Sequence, residues 1–195
     1  MTLSSPAELK QALRREASRI RREQSARQGE AAARAIARAG ADLALPPGTV
    51  AAGYWPLPGE IDDRPLLTAL AARGAVLALP EVAAPDAPLV FRRWAPGDPL
   101  APGPHRTFHP LPSAPPLRPT LLLVPVLGFD AKGFRLGFGG GYYDRTLAAL
   151  RRDGGLIAVG LAYAAQQLPA VPVEPWDQAL DAILTEEGLV SVVQA

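Results

Sequence analysis

At 195 residues and 48% hydrophobic content, the chain is long enough and apolar enough for one domain, spanning 1–195, with a sizeable core. A net charge of +1 argues against a general polyanion binder, and the absence of cysteine excludes a disulfide framework, a thiolate zinc site and a cysteine nucleophile. No run approaches the ~20 apolar residues that cross a bilayer, and the opening MTLSSPAELKQALRRE lacks a signal-like apolar core, so a soluble cytoplasmic protein is expected.

The first element is a helix. Ser5-Pro6-Ala7-Glu8 forms a capping box with proline at the first helical position. Leu9, Leu13, Ala17 and Ile20 recur at helical spacing and are expected to face the core, with Lys10, Arg14 and Arg21 on a neighbouring stripe. A second helix is expected from about Ser25 to Ala39, with Gln28-Gly29 a candidate break, so that 1–40 packs as N-terminal helices on the rest. Residues 1–38 carry a local charge of +5. Most of those arginines read as a solvated face with pairs such as Arg19–Glu23. Lys10 and Arg14 differ, because they border the apolar stripe.

Val50–Tyr54 reads as a strand, followed by the loop Trp55-Pro56-Leu57-Pro58-Gly59. Glu60-Ile61-Asp62 leads into a helix bearing Leu66, Leu67 and Leu70, capped by Asp62 or Asp63 and ended by Arg73-Gly74. Ala75–Leu79 is the next strand, which completes a parallel β-loop-α-β unit. Its loop lies at the strand's C-terminal end, where open α/β sheets bind ligands. Taken alone, Glu60 reads either as compensation of the helix dipole or as a group of that ligand edge.

Leu89–Trp94 is a short strand. Residues 95–119 hold nine prolines, which rules out a helix or a central strand and leaves an ordered surface loop. Both histidines, His105 and His109, fall in it, so a histidine metal cluster is not expected.

Leu121–Val124 is a buried strand ended by Pro125. A loop with Gly133, Gly137, Gly139, Gly140 and Gly141 follows, and Tyr142-Tyr143-Asp144-Arg145 opens a helix with Leu147 and Leu150 on one face. Strand, glycine loop and helix together suit phosphate. Glycine permits positive φ and close approach, and free N–H groups at a helix start attract anions. Arg135 adds a fixed positive charge for phosphate oxygens. The stretch has neither the Gly-Lys-Ser/Thr ending of a P-loop nor the spacing of a dinucleotide fingerprint. Leu156–Leu161 and Ala182–Glu186 are the remaining strands. Alternating strands and helices give the fold class: α/β, three-layer and Rossmann-like, with an open, mainly parallel sheet and helices on both faces.

The full motif from Phe129 to Arg145, Phe-Asp-x-x-Gly-x-Arg-Leu-Gly-x-Gly-x-Gly-Tyr-Tyr-Asp-Arg, resembles the signature of the 5-formyltetrahydrofolate cyclo-ligase (5,10-methenyltetrahydrofolate synthetase) family. The resemblance extends from Lys10 to Glu186. It includes Lys10-Gln-Ala-Leu-Arg14, the Tyr54 to Asp62 segment, Gln166-Gln167, and Asp177, Asp181, Thr185 and Glu186 near the C-terminus. Two positions depart from the pattern: His109 stands where the family usually has glutamate, and Trp176 where it usually has histidine.

The resemblance implies an enzyme that joins ATP hydrolysis to cyclisation of 5-formyltetrahydrofolate, with Mg²⁺. It implies ATP contacts at Lys10, Arg14, Arg135, Leu136, Gly137, Phe138, Gly139, Gly140, Gly141, Tyr142 and Tyr143, with Lys10, Arg14 and Arg135 also catalytic. Folate contacts are implied at Trp55, Glu60, Phe138, Gly139, Gly140, Gly141 and Tyr142, and metal ligands at Asp144 and Asp181. Tyr142 and Tyr143 are alternatives, one of them a core-packing residue. Asp130 and Asp177 are expected to be structural, and His109 solvated. Partners are then small molecules (a reduced folate and ATP), with no membrane or nucleic acid, and the chain a monomer. Two other readings are a sugar-phosphate isomerase-like enzyme on a related scaffold, and a non-catalytic folate or nucleic-acid binder using the basic N-terminal helices. The N-terminal helices lack interleaved aromatics for base stacking.

Overall fold

The computed structural model describes residues 6–192. Ser5, the expected capping residue of the first helix, lies outside the described residues. The helix α1 runs over Pro6–Ala39 as one element, with non-helical dihedrals at Gln28 (φ −148°, ψ 16°). The kink divides α1 into two helical segments, so the expected second helix is present, with its start at the Gln28 break and not at Ser25. The Gln28 amide spans the kink: its Nε2 donates to Gln24 Oε1 and to Glu186 Oε1, each at 3.0 Å.

The strands are β1 (Val50–Ala52), β2 (Val76–Glu81), β3 (Val90–Arg93), β4 (Leu100–Pro102), β5 (Phe108–Pro110), β6 (Pro116–Leu117), β7 (Leu121–Pro125), β8 (Gly128–Phe129), β9 (Arg135–Leu136), β10 (Ile157–Leu161), β11 (Ala182–Thr185) and β12 (Gly188–Ser191). Helix α2 spans Arg64–Ala72 and α3 spans Tyr142–Arg152. The main sheet has the order β12-β11-β10-β7-β1-β2-β3-β6. Its centre, β11 to β2, is parallel. The edges β12, β3 and β6 are antiparallel. The chain thus has a strand, β12, beyond the one expected to be last.

The strands sort their side chains by a period of two. Ala51, Leu77, Leu121 and Leu123 pack with Ile36 of α1 and Leu66, Leu67 and Leu70 of α2. Ala52, Ala78, Leu122 and Val124 pack on the opposite face with Leu147 of α3. Three layers result, as expected.

Three expectations need correction. Leu9 does not face the core; it is 46% exposed. The inward line of α1 is Lys10, Ala17 and Arg21, all buried, with Arg14 half-buried between them. Of the two candidate caps of α2, Asp62 Oδ1 accepts the Arg64 N–H at 3.1 Å, whereas Asp63, at the N-cap position, does not cap through its side chain: it is fully buried and its Oδ2 accepts the Tyr54 N–H at 2.8 Å. Gly53 lets it in, since a Cβ there would lie 2.2 Å from Asp63 Oδ2. The stretch 95–119 is ordered but not featureless. It forms a β4–β5 hairpin and then edge strand β6, whose Pro116 is tolerated because an edge can spare an N–H.

Candidate active site

From β1 the chain moves to β2 on one side; from β7 it moves to β10 on the other. The sheet's direction of travel therefore switches between β1 and β7, and a crevice opens beyond the carboxyl ends of such a pair. A cavity of about 510 Å³ lies there. One wall is the segment after β1, with Tyr54, Trp55, Leu57 and Glu60. The other is the stretch 135–144 after β7. The β4–β5 hairpin contributes His105, Thr107 and Phe108, and α1 contributes Lys10 and Arg14.

The glycine loop ends at the N-terminus of α3. Gly139 (φ +100°) and Gly141 (φ +66°) adopt backbone that L side chains rarely reach, and Gly141 is the residue on which α3 starts. Arg14 ties this loop to α1: its Nε donates to the Gly137 carbonyl at 2.9 Å. Lys10 reaches Glu174 at 2.7 Å and Asp177 at 2.5 Å. Burial pulls the Lys10 pKa down, but these two carboxylates outweigh it and hold the ammonium above its usual range. Arg135, its side chain 5% exposed, donates to Asp144 Oδ1 at 2.8 Å and to the Gln178 carbonyl at 2.5 Å. The three cations of this wall are thus already engaged by the protein.

On the opposite wall Glu60 is nearly buried. Its Oε2 accepts the Leu57 N–H at 2.8 Å and its Oε1 accepts from Arg21 Nη1 at 3.3 Å. Burial pushes its pKa up; the Leu57 N–H and Arg21 oppose this only in part. These partners, not the start of α2, define its environment, so the dipole reading of Glu60 fails. Trp55 meets Phe108 edge-on at 5.6 Å and lies under the Arg64 guanidinium at 5.3 Å. Tyr143 packs against the apolar cluster under α3, and burial raises its phenol, with Glu60 and Asp63 adding to the rise. Tyr142 instead meets His105 edge-on at 6.3 Å and carries Arg145 over its ring. Of the two tyrosines, Tyr143 takes the packing role.

The arrangement offers cations and free amides to an anion on one side, and an aromatic, carboxylate-bearing slot on the other. A model of the 5-formyltetrahydrofolate cyclo-ligase family matches residues 6–186. The chain belongs to that family. A 5-formyltetrahydrofolate cyclo-ligase from Haemophilus influenzae is 36% identical over 137 residues, covering 67% of this chain and 72% of that one. One from Mycolicibacterium smegmatis is 34% identical over 158 residues, covering 74% and 78%. The solution structure of a 5,10-methenyltetrahydrofolate synthetase from Aquifex aeolicus superposes with a TM-score of 0.73 at 27% identity, covering 96% of this chain and 94% of that one.

The residues assigned through the cyclo-ligase signature mostly meet in one place. Lys10, Arg14, Trp55, Glu60, the run Arg135–Tyr143 and Asp144 all line the cavity. Asp181 does not. Its carboxylate accepts Ala158 N–H at 2.7 Å and pairs with Arg151 at 3.1 Å, so it fixes the start of β10 to the end of α3 and is not brought to Asp144. Among the described residues no three histidine, cysteine or acidic side chains form a metal cage. Asp130 is structural, as expected: buried, it accepts the N–H groups of Lys132, Phe134 and Val171. Asp177 anchors its turn and also faces the cavity. His109 is half-buried, with Nδ1 2.9 Å from the Pro110 carbonyl oxygen, and the cavity histidine is His105. His105, Thr107, Phe108 and Glu174 were missed as cavity residues. The proline-rich hairpin has no periodicity to reveal its inner face, and Glu174 is marked only by the Lys10 it meets 164 positions away. Among the described residues, no helix is long and apolar enough to cross a membrane.

Proposed function

We propose that the chain catalyses the ATP- and Mg²⁺-dependent cyclisation of 5-formyltetrahydrofolate to 5,10-methenyltetrahydrofolate, releasing ADP and phosphate, and that it works in the cytoplasm as a monomer. The supporting observation is the single cavity that joins a glycine loop flanked by Lys10, Arg14 and Arg135 to a slot walled by Trp55 and Glu60. The N5-formyl group is amide-like and a poor electrophile. Transfer of the γ-phosphoryl group to its oxygen breaks the bond to ADP and makes that oxygen a leaving group. N10 then bonds to the formyl carbon and loses its proton, and the carbon–oxygen bond breaks to release phosphate. No protein nucleophile is needed, in keeping with the absence of cysteine. The protein's contribution is positioning and charge stabilisation.

Lys10, Arg14 and the amides of 139–142 would hold the phosphates, with Arg135 beneath them. Glu60 would accept N–H groups of the reduced pterin, against the Trp55 ring. Mg²⁺, when bound, supplies positive charge to the phosphate oxygens. It commonly takes one or two carboxylates plus phosphates and water, which suits a site without a cage. Asp144 fits that role: both its bonds to the protein use Oδ1. Asp181 is not a ligand in this proposal. The test is to mix purified protein with 5-formyltetrahydrofolate and MgATP and follow methenyl product by near-ultraviolet absorbance. Product at the same rate without ATP, or none from folded protein, would overturn the reading.

A further inference from the structure

Resting on that ATP reading, we propose that Trp176 is the platform on which the nucleotide's base stacks. Trp176 lines the cavity and is 63% exposed, so a large aromatic surface stands open there. Its backbone is fixed. The turn from Glu174 to Asp177 is closed by the Asp177 N–H on the Glu174 carbonyl at 3.0 Å and by the Glu174 N–H on Asp177 Oδ2 at 2.8 Å. Lys10 bonds both carboxylates of the same turn. The turn that carries Trp176 is therefore tied to a cation of the phosphate wall, and the indole lines the same cavity as the glycine loop.

The other aromatic side chains of the mouth already have a ring or cation partner. Trp55 has Phe108 and Arg64. Phe138 has Arg21 at 5.0 Å, and Tyr142 has His105 and Arg145. Among the described residues, no ring or cation contacts the Trp176 indole. A nucleotide needs this arrangement: cations and amides for the triphosphate deep in the crevice, and an open π-face near its edge for the base. Stacking on an aromatic is tolerant of base identity, so the site would favour nucleotides over bare polyphosphate more than it selects among bases.

Calorimetric titration of wild type, Trp176→Ala and Trp176→Phe with MgATP, magnesium tripolyphosphate and 5-formyltetrahydrofolate tests the assignment. Trp176→Ala should weaken MgATP by about 10–100-fold, the range seen when a stacking aromatic is truncated. Tripolyphosphate and 5-formyltetrahydrofolate should bind as they do to wild type, and Trp176→Phe should keep most of the MgATP affinity. Equal losses for MgATP and tripolyphosphate would overturn the proposal, since the defect would then lie in the turn or in Lys10. So would an unchanged MgATP affinity, or a loss confined to the folate. A wild-type chain that binds neither MgATP nor tripolyphosphate overturns the ATP reading itself, and this assignment with it.

Discussion

Glu60→Gln separates a carboxylate kept for binding from one kept for the fold. In the folded chain the Glu60 side chain is 5% exposed, and burial raises its pKa above the usual 4.5 despite Arg21. The sign of the linkage follows. The folded chain holds a proton on Glu60 that the unfolded chain has released, so this group's contribution to stability falls as pH rises from 4.5 through the raised pKa. The ionised Glu60–Arg21 pair is thus a net cost to the fold, as buried pairs at long distance often are. The glutamine introduced by this substitution has nearly the shape of the protonated acid. Its carbonyl can keep the Leu57 N–H bond, while its amide nitrogen takes the place of Oε1, which lies 3.3 Å from Arg21. The variant should therefore gain on wild type in urea unfolding as pH rises above 4.5, and then hold a constant margin. For binding, the change turns an acceptor into a donor. A charged hydrogen bond is worth ~1.5–3 kcal/mol, so affinity for 5-formyltetrahydrofolate should fall roughly 10–100-fold. MgATP affinity should be spared, because its loop lies across the cavity. Calorimetric titration with each ligand, alongside urea unfolding from about pH 5 to 8, reads both effects. Wild-type folate affinity together with a large loss of stability at neutral pH would refute the reasoning and make Glu60 a structural clamp.

Arg135→Ala should cost both stability and turnover. It strips Asp144 of its cation, a loss of ~3 kcal/mol for a broken buried pair, and should lower kcat/KM for ATP by roughly 100-fold; unfolding and kinetics at wild-type values would contradict the placement. Gly139→Val or Gly141→Val should abolish nucleotide binding, because a β-branched residue cannot hold φ of +100° or +66°; unchanged calorimetric affinity in either variant would remove that glycine from the cradle. Asp63→Asn should leave activity intact and alter the pH dependence of stability. Burial holds the Asp63 pKa well above 3.8, so wild type should lose stability relative to the variant as pH rises from there, and a pH-independent difference would show that Asp63 is ionised in the fold.

Periodicity carried most of the fold. The runs Leu121–Val124 and Leu156–Leu161, and the leucines 66, 67 and 70, sit where their patterns put them, because a parallel sheet buries both faces and leaves little else to decide. The first helix was misread at Leu9, while Lys10 and Arg14, which the pattern sets beside the apolar stripe, and Leu13 and Ala17 do lie inward. Leu9 is exposed where the period put it inward, and the burial of Lys10 and Arg21 goes beyond a stripe's border because each meets a carboxylate distant in sequence. Such a partner is invisible to any local window. The same holds for Asp63, whose cap-like position before α2 gave no hint that Tyr54 N–H would claim it. The motif around the glycines was legible because its demands are local: positive φ, a helix start, and a cation shortly before the last glycine.

The charges on the glycine-loop wall explain how so cationic a surface can fold. Lys10, Arg14 and Arg135 face Asp144, Glu174 and Asp177, three cations against three carboxylates. Left unpaired in this half-buried setting, the cations would repel one another and suffer desolvation without compensation. Paired, Lys10 pins the Glu174–Asp177 turn to α1, and Arg135 pins the start of α3 to Gln178. The pairing also sets a condition on the proposed reaction. A triphosphate drawing on Lys10 and Arg135 would compete with the carboxylates that already hold them, and the released carboxylates would then face phosphate oxygens. In the proposed reaction Asp144, Glu174 and Asp177 would be free to face a divalent cation bound with the triphosphate, which would offset that conflict. On this argument the proposed reaction would need a metal because of how the wall is balanced before any ligand arrives.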